Sequence, residues 1–274
     1  MADLFAFGFM VHALQAGTVV AVLAPVLGWF VVLRGQTFAA HTLGVVAFPG
    51  AAAAVFAGLP AVAGYYASTV TGAVALSRFR GGRRAGTDEP TAVGIVHVAA
   101  LAGGFVLSRL YDGMLPQTTA LLFGSFLGIS AGQVRVTLVT AVVVLAVLAA
   151  IWRPLVLATL DPELARSRGL RVAVLDVAVL LLVAVVVAVT SGIAGALLIG
   201  TLLVTPAAAA HRLTARAAVG IPVAVLVAVV VTWASLVLAF VSDVPPGFYL
   251  AALAFGAFGS AVLADRVRSG AAAR

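Results

Sequence analysis

The sequence predicts an all-α fold, a polytopic transmembrane helix bundle of about eight or nine spans forming one domain over residues 1–274. Three observations predict it. Hydrophobic side chains make up 64% of the chain and charged ones only 9%, where a soluble domain carries roughly 25% charged residues. Apolar runs recur along nearly the whole length, each close to the ~20 residues that a helix needs to cross a hydrocarbon core about 30 Å thick. The runs are continuous, as from Val177 to Val189, and do not alternate, so their backbone groups must be satisfied inside helices rather than in a barrel.

In order, the runs place spans at residues 5–33, 38–58, 60–77, 91–108, 133–151, 172–190, 193–211, 217–240 and 247–264. The first is read as a retained helix, because Met1-Ala2-Asp3-Leu4 supplies no basic region and the run is longer than a secretory signal. Arginine placement tests the order. With the amino terminus outside and the carboxyl terminus in the cytoplasm, Arg109 and Arg135 fall outside and the other arginines, from Arg34 to Arg274, fall inside. One span added or lost upstream would scramble that partition, which is what the positive-inside rule demands.

Two segments strain the scheme. Between Thr119 and Ser130 the apolar stretch is too short to cross at ~1.5 Å per residue and reads as a re-entrant or interfacial helix. From Ile193 to Pro206 the same arithmetic leaves two readings, a helix kinked at Pro206 or a short broken helix whose freed backbone is shielded by protein. Glycine accounts for 28 residues, many within spans, where close helix contact is the expected use. Ala252, Gly256 and Ser260 give the last span a smooth face.

Absences narrow the chemistry. Without cysteine there are no disulfides, thiolate metal sites or thiol nucleophiles. All 16 basic residues are arginine, and a G-x-x-x-x-G-K-[ST] phosphate loop needs a lysine on the terminal phosphates, so this chain is no P-loop ATPase. Neither the paired intramembrane carboxylates of an ion-coupled carrier nor the nucleophile and base of an intramembrane enzyme stands out. The net charge of +7 reflects topology-setting arginines and does not imply nucleic acid.

Candidate functional residues lie in loops and among intramembrane polar groups. Asp161-Pro162-Glu163-Leu164-Ala165-Arg166-Ser167-Arg168-Gly169 has the N-cap, first-turn proline, dipole-matched charges and glycine stop of a short helix. It is either a connector or a docking element. Thr205-Pro206 opens another helix, with Thr205 as cap, whose Ala207, Ala208, Ala209 and Ala210 make a thin rod able to approach a partner groove, ending at His211 and Arg212. His211 reads as a helix-end residue.

In the membrane, His41 has two readings, an interhelical hydrogen-bonding group or a ligand for a divalent transition metal. The residue one turn on, which would complete a chelating face, is Val45. His97 shows no neighbour in sequence and reads as structural, and Asp176 is expected to pair with Arg171 or Arg168. Asp243, in the turn Asp243-Val244-Pro245-Pro246-Gly247, is either a turn-capping carboxylate or one that attracts metal.

These features, in this order, resemble the zinc/manganese-type permease subunits of bacterial metal ABC importers. The resemblance runs from Gly28-Trp29-Phe30-Val31-Val32-Leu33-Arg34 through the His41 helix, Leu122-Phe123-Gly124-Ser125-Phe126-Leu127 and the Asp161 helix. It continues over Gly195-Ala196-Leu197-Leu198-Ile199-Gly200-Thr201-Leu202-Leu203-Val204-Thr205-Pro206 to Asp243. It implies a type II ABC importer-like permease in a bacterial inner membrane, forming a homodimer. It further implies cytoplasmic ATPase subunits that use ATP, an extracellular solute-binding protein, and zinc, manganese or iron as the transported ion, with no cofactor bound by this chain. By position it assigns ATPase docking to Thr205, Pro206, Ala207, Ala208, Ala209, Ala210, His211 and Arg212, with Asp161, Glu163 and Arg166 beside them, and the metal pathway to His41 and Asp243. The related permeases for iron chelates or cobalamin share the surface-helix logic, but those chains are usually longer.

Overall fold

A computed structural model describes residues 7–80, 88–110, 120–124, 128–242 and 244–272. Among the described residues there are eleven helices and no strand: α1 (Gly8–Leu33), α2 (Thr37–Phe56), α3 (Ala61–Arg80), α4 (Asp88–Leu110), α5 (Ala131–Leu160), α6 (Pro162–Ser167), α7 (Val172–Ala194), α8 (Ile199–Leu203), α9 (Thr205–Leu213), α10 (Ala217–Phe240) and α11 (Pro246–Ala272). Seven of them, all but α3, α6, α8 and α9, are long and apolar enough to cross a membrane.

The centre is built by α1 and α7. Met10, Ala13, Val20, Leu23 and Leu27 line a fully buried stripe on α1, and Val179, Val183, Val186 and Val187 do the same on α7. Helix α1 packs on α5 and α10, while α7 packs on α3, α2 and α5. The opposite preference appears at the rim, where Val136, Val139, Val143 and Val147 recur along one face of α5 and stand exposed. An apolar stripe of that length would be a liability in water, but in lipid it is the solvent-matched face.

Helix α3 is as long as α2 but richer in hydroxyls. Its hydroxyls are paired within the protein: Thr69 Oγ1 donates to the Tyr65 carbonyl at 2.8 Å, Thr71 Oγ1 to that of Ala67 at 2.7 Å, and the Tyr66 and Thr140 hydroxyls meet at 2.9 Å. It lies along α2 and α7, so this predicted span is an eighth long helix sheltered by its neighbours. Gly50 and Gly64 permit the approach, since a Cβ on Gly50 would stand 2.5 Å from the Gly64 carbonyl.

The predicted span over 193–211 is not one helix. Helix α7 stops at Ala194 because Gly195 adopts φ 86, and the chain then runs as α8 and α9 with a break at Val204. Of the two readings left open, the broken helix is the one found. Residues 120–124 lie against the unwound stretch, with Ala196 N–H donating to the Leu121 carbonyl at 3.2 Å and Leu197 N–H to that of Leu122 at 3.0 Å. Backbone freed from helix inside a membrane must be satisfied by protein in this way. The contact requires two glycines at positive φ: a Cβ on Gly124 (φ 79) would meet Gly195 N at 2.6 Å. The remainder of the expected re-entrant helix, residues 119 and 125–127, lies outside the described residues.

The smooth face at Ala252, Gly256 and Ser260 is exposed, and a Cβ on Gly256 would meet nothing within 4 Å, so this stripe does not serve contact within the chain.

Candidate cation site and the arginine-rich end of the bundle

His41 lies just over one turn into α2, half-buried, with its Nδ1 facing α8, where a Cβ on Gly200 would be 3.7 Å away. Across from it stands His97 of α4. Their ring centroids are 5.4 Å apart with the planes tilted by 29°. The Thr42 hydroxyl, fully buried, lies 3.3 Å from His97 Nδ1, and Phe38, also on α2, stacks near His97 with ring centroids 5.9 Å apart. The structure therefore corrects the reading of His97 as a residue without a neighbour: its partners lie some 55 positions away, on a helix that packs along its own. Val45 is 1% exposed and takes part in packing. No cluster of three or more His, Cys, Asp or Glu occurs among the described residues, and Asp243 lies outside them.

One end of the bundle gathers the arginines. Arg34, at the C-terminal end of α1, forms an ion pair with Asp176 of α7 and donates to Thr159 Oγ1 of α5 at 2.9 Å. Its side chain is 8% exposed and that of Asp176 is 32% exposed. Asp176 thus pairs with Arg34 rather than with Arg171 or Arg168. Its position on α7 faces α1, while Arg168 and Arg171 are exposed in the loop before α7. The same end holds α6, where Asp161 Oδ1 accepts from Leu164 N–H at 2.8 Å, Pro162 occupies the first turn and Gly169 stops the chain at φ 77. Every residue of α6 except Ala165 is exposed, including Glu163 and Arg166.

Helix α9 sits differently from the expectation. Its N-cap is Val204, and Thr205, the first helical residue, turns its hydroxyl back to the Gly200 carbonyl at 3.2 Å. Pro206, Ala207, Ala209 and Ala210 are buried and Ala208 is half-buried, so the thin rod nests against α1, α10 and α11 of its own chain. Those four side chains pack within the chain itself, where the composition suggests a rod open to a partner. Exposed at this end are Arg212, Ala215 and Arg216, together with α6, Arg168 and Arg171 before α7, and Arg266 to Ser269 of α11.

His211 stacks on Trp29 with ring centroids 3.6 Å apart, and its Nε2 lies 3.1 Å from the Trp29 carbonyl. Burial holds its pKa below the usual histidine value, and the bond to the carbonyl opposes that shift. Arg212 faces Asp265 of α11 at 3.8 Å, and Arg268 donates to the Leu213 carbonyl at 3.3 Å. Helix α9 is thus tied to α1 and α11, and through the one-residue break it continues into α8, beside His41.

Comparison with known proteins places this geometry. The model of the ABC 3 transport family matches residues 6–264. The manganese transport system membrane protein MntC of Halalkalibacterium halodurans is 29% identical over 245 residues, covering 89% of this chain and 83% of the relative. The chelated iron transport system membrane protein YfeD of Yersinia pestis is 30% identical over 226 residues, covering 82% and 75%. Among solved structures, PsaBC from Streptococcus pneumoniae in complex with Fab has the same fold, with a TM-score of 0.84 at 23% identity over 95% of this chain and 93% of that one.

Proposed function

The chain belongs to the ABC 3 transport family, and on that premise we propose that it is the membrane-spanning permease subunit of an ATP-driven importer of divalent metal ions. The observation that carries the proposal is one broken-helix segment that links two sites. Residues 195–213 run from the unwound stretch beside α2, through α8 next to His41, to the arginine-rich end where His211 and Arg212 lie. Whatever moves the α9 end is mechanically connected to the wall of the His41 site.

The chain has no lysine for a phosphate loop, so nucleotide hydrolysis falls to a separate cytoplasmic ATPase. Its docking surface is the exposed α6, with Asp161, Glu163 and Arg166, together with Arg212 and Arg216 at the end of α9. Thr205, Pro206 and Ala207 to Ala210 carry the movement inward rather than touch the partner. Closure of the ATPases pushes on α6 and α9, α9 displaces α8, and the opening at His41 changes. The relatives named for manganese and chelated iron support a divalent transition metal as the transported substrate. An extracellular solute-binding protein delivers it, two copies of the chain form the assembly, and the arginine-rich end faces the cytoplasm of a bacterial cell.

The test is coupling. In the reconstituted assembly, Arg166→Glu combined with Arg216→Glu reverses two exposed charges and leaves the core and the Arg212–Asp265 contact untouched. ATP-dependent metal uptake should fall at least tenfold while the chain stays folded in the membrane. Full coupled uptake by that variant would remove the docking assignment.

A further inference from the structure

We propose that His41 and His97 act together as the cation contact of the path, a two-imidazole site whose donors favour zinc or iron(II) over manganese. The inference rests on the reading of the chain as a divalent-metal permease. The two rings come from α2 and α4, which pack along each other, and their centroids are 5.4 Å apart. An ion held by one nitrogen of each ring at ~2.0–2.1 Å, with a tetrahedral angle between them, sets ring centroids about 5 Å apart. The spacing matches that requirement, and because the rings stand stacked each turns about its own side-chain bonds, with little movement of either helix, to aim a nitrogen at one ion.

Thr42 orients His97. Its hydroxyl is buried and 3.3 Å from His97 Nδ1; in the tautomer that carries its proton on Nδ1 the hydroxyl accepts it, which leaves Nε2 with its lone pair for a metal. Imidazole ligands are ordinarily held through their second nitrogen in this way. His41 has no hydrogen-bond partner among the described residues, and Gly200 keeps a side chain away from its Nδ1 edge. The ring is free to turn a nitrogen toward the ion.

The donor set decides the preference. Imidazole nitrogen suits zinc and iron(II), whereas manganese is better served by carboxylate and carbonyl oxygen. No third His, Asp, Glu or Cys joins the pair among the described residues, so water completes the coordination. A conduit needs such sparse ligation, because an ion bound too tightly does not leave.

The experiment measures uptake of zinc, iron(II) and manganese by the complete assembly carrying wild-type chain, His41→Gln, His97→Gln or both. Zinc and iron(II) uptake should fall at least tenfold in each single variant and no further in the double, while manganese uptake falls less than threefold. Zinc uptake by His97→Gln within twofold of wild type would overturn the shared site and leave the permease reading standing; failure of wild type to import any of the three metals would overturn both. A second measurement needs no variant: carbethoxylation of the wild-type assembly, read residue by residue by mass spectrometry. Zinc should protect His41 and His97 together at least fivefold while His12 stays reactive, and protection of His41 alone would sink the proposal.

Discussion

Asp176→Asn removes one partner of a pair that three helices share. Arg34 keeps its charge, an 8% exposed side chain and the Thr159 hydroxyl, and loses the carboxylate. Breaking a fully buried pair from one side costs about 3–5 kcal/mol, and an exposed pair is worth about 0–1 kcal/mol. Asp176 is 32% exposed, so solvent screens part of the loss, and a cost of about 2–3 kcal/mol follows. For a chain of this size that corresponds to a fall in Tm of roughly 5–10 °C. The assay is thermal unfolding of the detergent-solubilised chain, with Arg34→Met and Arg34→Met/Asp176→Leu alongside. The double variant removes both members of the pair and should recover most of the loss, since apolar replacement of both partners is often neutral. A Tm for Asp176→Asn within 1 °C of wild type, or a double variant as unstable as the single, would refute the claim that this pair ties the ends of α1 and α7 together.

Three further outcomes follow from particular contacts. Gly195→Ala places a Cβ at φ 86, ψ 157 against the backbone of residues 122–124; the strain alone is about 1–3 kcal/mol and the clash adds to it, so folded yield should drop sharply, and a normal yield and Tm would contradict the described packing. Asp161→Ala removes the cap on Leu164 N–H and should loosen α6 by about 1 kcal/mol, seen as faster amide exchange confined to residues 163–167, with unchanged exchange as the contrary result. His211 is held neutral by burial, with a folded pKa below its unfolded value. The unfolded chain therefore binds the extra proton first, and stability should fall as pH drops through the unfolded pKa of about 6.5 toward the lower folded value. His211→Gln should flatten the melting-temperature profile over that window, and identical slopes for both chains would exclude this contribution.

Much of the fold was legible in the sequence because its determinants are local. Bilayer thickness fixes the length of an apolar run, so α1, α2, α4, α5, α7, α10 and α11 announce themselves, and α3 could be placed between its neighbours despite Tyr65, Tyr66 and Thr69. Helix α6 was equally legible, since Asp161, Pro162 and Gly169 act within their own turn. What escaped depends on contacts distant along the chain. Asp176 looks nearest to Arg171 in sequence but meets Arg34, brought in by the packing of α1 on α7. His97 acquires its meaning from His41 and Thr42 on another helix. The alanines from Ala207 to Ala210 suit any close approach, and composition could not say whether the partner lay inside or outside the chain. The stop at Gly195 is set by Gly124, which no periodicity within α7 reveals.

A metal path driven by another subunit moves no ion by itself. Zinc and manganese uptake is therefore measured in proteoliposomes containing the chain alone, under a proton gradient, and in the same vesicles with an ATPase, a solute-binding protein and ATP. Uptake should appear only with the complete set and hydrolysable nucleotide. Uptake of equal rate by the chain alone would show that no second subunit drives the path.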